Sequence, residues 1–163
     1  MGLFDIAFNH PDPWSGSREY EANIAVPQAL QQGRDILTED FCLMGEHRFV
    51  RAILPLPLVG FDESFAFGVW GSVAPPKFLE YCEHFDGTTG GTMPAAFSWL
   101  MNRLPGAQDK PARARLLPQN DRQRPILEIT DEDHPFFLAQ TEGLTSQALL
   151  EIYAISGHRP LTQ

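Results

Sequence analysis

This chain has little of what marks a membrane-spanning, secreted or metal-binding protein. No apolar run approaches the ~20 residues of a membrane-crossing helix, and Leu3 to Phe8 is too short and too acidic for the core of a secretory leader. Residue 6 is Ile, so the Ser or Thr that N-myristoylation needs after Met1-Gly2 is missing. Cysteine is scarce: Cys42 and Cys82 fall on different predicted elements, and the expectation is two reduced, packed thiols. Neither C-x-x-C nor H-x-x-x-H occurs, which removes the common zinc and redox spacings. There is no G-x-S-x-G elbow. Gly87-Thr88-Thr89-Gly90-Gly91 follows a predicted helix and lacks the terminal Gly-Lys of a phosphate cradle, so it reads as a loop. The expectation is a cytoplasmic protein with no membrane contact, no metal and no cofactor.

What is present suits an ordinary folded chain. Its 163 residues, 43% apolar with twelve Phe, can bury roughly two-thirds of their unfolded surface. A single domain over 1–163 is expected, with 1–38 peripheral and 39–157 the core, since Pro11, Pro13, Gly16 and Pro27 interrupt any regular element early on. Net charge is −9, but Arg103 to Arg124 holds six of the twelve basic residues against Asp109 and Asp121. That segment carries +4 and the remainder −13. It reads as a solvated hairpin, with an anionic partner as the alternative; the acidic remainder makes nucleic acid a poor partner.

Periodicity sharpens from Asp40. Phe41 to Met44 is β-like, Gly45-Glu46 suits a two-residue turn, and from His47 onward Val50, Ala52, Leu54, Leu56 and Leu58 alternate with polar or bulky neighbours. A second alternation follows the Gly60–Ser64 turn, with Phe65, Phe67, Val69 and Val73 pointing inward. Pro75-Pro76 opens a helix with Phe78, Leu79, Cys82 and Phe85 as its apolar stripe. Phe97–Asn102 reads as another strand, 112–117 and 124–129 as a hairpin, and a last helix starts at the cap candidate Thr145. The expected fold class is α+β, an antiparallel β-sheet with helices packed mainly on one face.

Parity fixes the strand registers. A Gly45-Glu46 turn sets Met44 opposite His47, Cys42 opposite Phe49 and Asp40 opposite Arg51. Setting Leu58 opposite Phe65 places Arg51 across from Ser72, with Trp70 on the diagonal. The outer face then shows Asp40, Arg51 and Trp70 in a row, with Glu46 and His47 at the rim. Either this is a charge pair covering the sheet, or Arg51 holds an anionic group beside the Trp70 stacking plane. His134, within Asp133-His134-Pro135, reads as a turn cap or as a general base coupled to Asp133 or Glu46.

Several clusters carry a family resemblance. They are Asp40-x-Cys42, Gly45-Glu46-His47-x-Phe49-x-Arg51, Gly68-Val69-Trp70, Trp99-Leu100-x-Asn102-Arg103-Leu104-Pro105-Gly106, Arg124-Pro125-x-x-Glu128, and Asp133-His134-Pro135 with Gln140 and Gly143. From about Asp40 to Thr145 the chain resembles a bacterial family called domain of unknown function 2199. The resemblance implies a small intracellular protein with no accepted activity or cofactor, and adds interest to Glu46, His47, Arg51, Trp70, Asn102, Arg103 and His134. Many relatives begin with C-x-x-C-G, whereas this chain starts Met1-Gly2-Leu3-Phe4-Asp5, so no thiol or metal chemistry carries over.

The leading expectation is a non-enzymatic binding module. Its partner is another protein or a small anionic ligand, and it is a possible homo-oligomer. Two alternatives stand beside it. One is an enzyme with His47 or His134 as base and Arg51 or Arg103 binding an anion. The other is nucleic-acid contact through 103–124.

Overall fold

The computed structural model describes residues 5–87 and 92–156; positions 88–91 of the glycine-rich loop, and His158, lie outside the described residues. The alternating stretches form a long two-stranded ribbon. β4 (His47–Pro57) and β5 (Ser64–Val73) pair antiparallel over ten residue pairs, from Arg48↔Val73 to Pro57↔Ser64. β3 (Phe41–Met44) joins β4 in the expected register, with Phe41↔Val50, Cys42↔Phe49 and Met44↔His47. Gly45 takes φ +59 in the intervening turn, a value that favours glycine.

The β4–β5 register differs from expectation by two residues. Arg51 faces Trp70 directly, and Leu56 rather than Leu58 faces Phe65. Leu58 leaves the ribbon to bridge Leu144, with Val59 N–H donating to Leu144 O (2.8 Å), so the connecting loop is longer than the sequence suggested. Parity survives because a shift of two keeps every side chain on its face.

The fold class is corrected. The ribbon's two halves pair with different strands. At Gly71 and Ser72, β5 takes β6 (Ala96–Leu100), which continues into β7 (Ala112–Leu117) and β8 (Ile126–Ile129). β8 then returns to the far half of β4, parallel, at Ile53↔Ile126. Five strands therefore close into a mixed β-barrel, with β1 (Ile6–Ala7), β2 (Ile36–Leu37) and β3 as extra strands. An antiparallel sheet covered by helices on one face does not form. The physical reason is length and twist: strands of eleven and ten residues coil far enough for the meander to meet them again.

Small interior residues permit that closure. Ala52, Ala96, Ser98, Ala112 and Ala114 are buried on the inward positions. At Gly71 an added Cβ meets Ser98 Oγ at 2.5 Å and Leu127 Cδ1 at 3.2 Å.

The helices are short and peripheral: α1 (Val26–Gln32), α2 (Pro75–Phe85), α3 (Ala139–Glu142) and α4 (Ser146–Ser156). α2 sets Phe78, Tyr81 and Phe85 around Phe41 with centroids 5.4–6.0 Å apart. Leu79, expected in its apolar stripe, points outward and is 53% exposed. Thr145 Oγ1 accepts Ala148 N–H (3.1 Å), the cap that starts α4. No described helix is long and apolar enough to cross a membrane. The ribbon's other face builds a second small core from Leu37, Cys42, Phe49 and Trp70, covered by Phe8, Trp14 and Tyr20.

Candidate functional site

Arg51 and Trp70 do emerge side by side, but beneath the N-terminal segment. Trp70 is 0% exposed and Arg51 7%. The guanidinium carbon lies 5.5 Å from the Trp70 ring centroid and 5.7 Å from that of Tyr20. Nη1 donates to Tyr20 Oη (3.1 Å) and Glu39 O (3.2 Å), and Nη2 to Phe8 O (3.3 Å), which also accepts from Trp70 Nε1 (2.9 Å). Nε is buried with no protein partner. Among the described residues these partners are a phenol and two backbone carbonyls, none of them charged. The pair pins residues 8–20 onto the ribbon and presents no open stacking plane.

The other predicted residues occupy separate places. Glu46 and His47 are exposed at the β3–β4 turn, His47 stacking on Phe49 at 6.2 Å. Asn102 is buried: its Oδ1 accepts Trp70 N–H (2.7 Å), and its Nδ2 donates to His10 O (3.0 Å) and Asp12 Oδ1 (3.1 Å). Arg103 beside it donates from Nε to Ala107 O (2.8 Å), on the wall of a cleft of about 300 Å³ with Asp12 and Asp109. His134 accepts Phe136 N–H on Nδ1 (3.1 Å), the turn-capping role, and burial lowers its pKa against the pull of Asp131. Among the described residues no hydrogen bond or ion pair joins His134 or His47 to Arg51 or Arg103.

Asp40 alone opens onto a sizeable concavity. The turn before β3 places it: buried Thr38 Oγ1 accepts the N–H of Phe41 (2.9 Å) and of Asp40 (3.3 Å). Its Oδ1 accepts Arg124 Nε (3.0 Å) and its Oδ2 accepts Asn23 Nδ2 (2.8 Å), which joins the start of α1 to the β7–β8 connection. The groove between α1 and α2 that Asn23 and Asp40 line measures about 850 Å³, within the ~300–1,000 Å³ of small-molecule sites. Ile24, Pro27, Leu30 and Leu79 form its apolar walls, with Glu83, Asp86 and Arg122 among its charged groups. Ile24 is 87% exposed.

Hydrogen bonds tie α2 to the β7–β8 connection. His84 Nε2 meets Gln119 O at 3.0 Å, and Gln119 Nε2 donates to Arg124 O (2.7 Å). Asp121 and Arg122 both take the left-handed conformation, φ +60 and +59, which sets Arg122 at the groove. Cys82 also lines it, but burial, with Asp86 and Glu83 beside it, pushes its thiol up to about 12. That favours the protonated thiol at neutral pH. Among the described residues no histidine lines the groove, and Asp40 within it is engaged by Arg124 and Asn23. The arrangement suits holding a ligand.

Sequence reasoning found Asp40 but not Asn23, Ile24, Leu79 or the Arg124 partner, because the groove joins segments far apart in the chain. It also passed over a second exposed feature. β6 and β7 alternate cleanly between buried and exposed positions, which turns Phe97 and Trp99 outward, 58% and 41% exposed, opposite Arg115 and Arg113. The Phe97-x-Trp99 spacing was the available signal.

A family model described as "Uncharacterized protein conserved in bacteria (DUF2199)" matches residues 2–144. No curated protein and no solved structure matches the chain.

Proposed function

We propose a function for this chain, which belongs to the DUF2199 family of uncharacterised proteins conserved in bacteria: it is a non-enzymatic binding module. Its α1–α2 groove takes an apolar, positively charged segment of a partner protein. The observation that carries this reading is the groove itself, about 850 Å³ across which exposed Ile24 and Leu79 share the lining with Glu83 and Asp86. An amphipathic helix laying its apolar face between two helices is a recurrent mode of recognition. Charge supports the same partner, because the chain outside 103–124 carries −13 and attracts a basic segment over distance. A cytoplasmic address belongs to the reading, since both cysteines are unpaired, as in a reducing compartment.

Titration calorimetry with a Leu/Lys amphipathic peptide tests it. Binding is expected to weaken with added salt and to fall roughly tenfold or more in Leu79→Asp or Ile24→Asp, with melting temperatures unchanged. Binding indifferent to both substitutions, or saturation by a small apolar amine where the peptide fails, overturns the partner assigned here.

A further inference from the structure

The outer face of β6 and β7 is a separate feature from the groove. Its aromatics are not spent on the core, because the inward positions between them, Ala96, Ser98 and Leu100, already fill the barrel. The two rings stand edge to face, centroids 5.3 Å apart and planes at 88°, so they form one knob and no shared flat platform. Across the next two strands each aromatic heads a row. Phe97 is followed by Arg115 and Glu128, with Arg115 Nε bonded to Glu128 Oε1 at 2.9 Å. Trp99 is followed by Arg113, whose Nη2 lies 3.7 Å from Asp131 Oδ1. Both arginine side chains remain half exposed or more, at 50% and 59%.

We infer that this face joins two copies of the chain, with Phe97 and Trp99 of each lying on Arg115 and Arg113 of the other. A two-fold axis parallel to the strands and running between β6 and β7 exchanges the aromatic column with the arginine column. That is the self-complementarity an isologous interface requires. The acids hold the guanidinium edges and leave their planes for the partner's rings. Trp, Phe and Arg are also the residues most often found at interface centres.

The face suits a second copy because Glu128 and Asp131 offset the charge of Arg115 and Arg113 where the two columns meet, and contact there holds the acidic remainders of two −9 molecules apart. A nucleic-acid strand would need to displace Glu128 and Asp131 from the same arginines, and it would meet a repulsive remainder.

Sedimentation equilibrium of the full chain over a concentration series, at low and high salt, provides the test. A monomer–dimer equilibrium is expected, and it should tighten or hold as salt rises, because salt screens the net repulsion between like-charged chains. Trp99→Glu and Phe97→Glu should weaken dimerisation by roughly tenfold or more at unchanged melting temperature. Arg113→Ala, which removes no aromatic surface, should weaken it too. Leu79→Asp should leave the dimer intact, so the two sites fail independently. A chain that stays monomeric at its solubility limit overturns the inference, as does a dimer insensitive to all three face substitutions. Salt-sensitive binding of a single-stranded oligonucleotide by a monomeric chain also overturns it, and assigns the face to nucleic acid.

Discussion

Replacing Arg51 by Ala distinguishes a buried anchor from a surface charge. Three hydrogen bonds from a charged donor disappear, to Tyr20 Oη, Glu39 O and Phe8 O, along with the contacts to the Trp70 and Tyr20 rings. Phe8 O keeps Trp70 Nε1 as a donor and the Tyr20 hydroxyl still donates to Asn9 O (2.8 Å), so the group losing its partner is the Glu39 carbonyl. Leaving such a group unpaired costs about 1–3 kcal/mol. Part is offset, because a guanidinium with an unpartnered Nε no longer has to be desolvated. With the ring contacts also lost, the balance is a loss of about 1–3 kcal/mol, against about 2–5 kcal/mol for Leu54→Ala in the main core. An exposed arginine would change stability by no more than about 0.5 kcal/mol. Urea unfolding followed by Trp fluorescence measures all three. Arg51→Met should fall between wild type and Ala, filling the space without restoring the bonds. Trypsin should also cut at Arg18 faster in Arg51→Ala, because residues 8–20 lose their pin. A variant within about 0.5 kcal/mol of wild type, with unchanged cleavage, refutes the anchoring role.

Two further outcomes test the barrel and its outer turn. Gly71→Ala should cost about 1–3 kcal/mol by overpacking. Adding Ser98→Ala should recover most of it, since Ser98 Oγ is the atom at 2.5 Å; an additive double-mutant cycle would contradict the packing described. His134 binds its proton less readily in the folded state than in the unfolded one, so its contribution to stability is complete above its usual value near 6.5 and declines as pH falls below it. His134→Asn keeps an acceptor for Phe136 N–H and should flatten the acid limb of the melting-temperature profile. An unchanged acid limb would exclude His134 as its source.

Local elements were legible because they rest on local rules. The alternation from Val50 to Leu56 fixed a face, Gly45 fixed the turn, and Pro75-Pro76 and Thr145 marked helix starts. The β3–β4 register followed from the two-residue turn alone. The β4–β5 register did not, because Leu58 is drawn off by Leu144, a residue far along the chain. Of the candidate site, the adjacency of Arg51 and Trp70 was readable from parity. Their burial was not, since nothing in a strand pattern says which segment will lie across its outer face.

Local spacing and composition were enough to tell which residues share a face, where turns and helix caps fall, and that charge is split between a basic stretch and an acidic remainder. Those features depend on neighbours within a few residues and on composition. Long-range packing settled that the ribbon closes through Ile53↔Ile126, that the N-terminal segment seals Arg51 and Trp70, and that Asp40, lining the groove, meets Arg124. Each of these joins segments far apart in the chain. Strand twist and the space left by small side chains choose among such pairings, and neither is written in any one stretch of sequence.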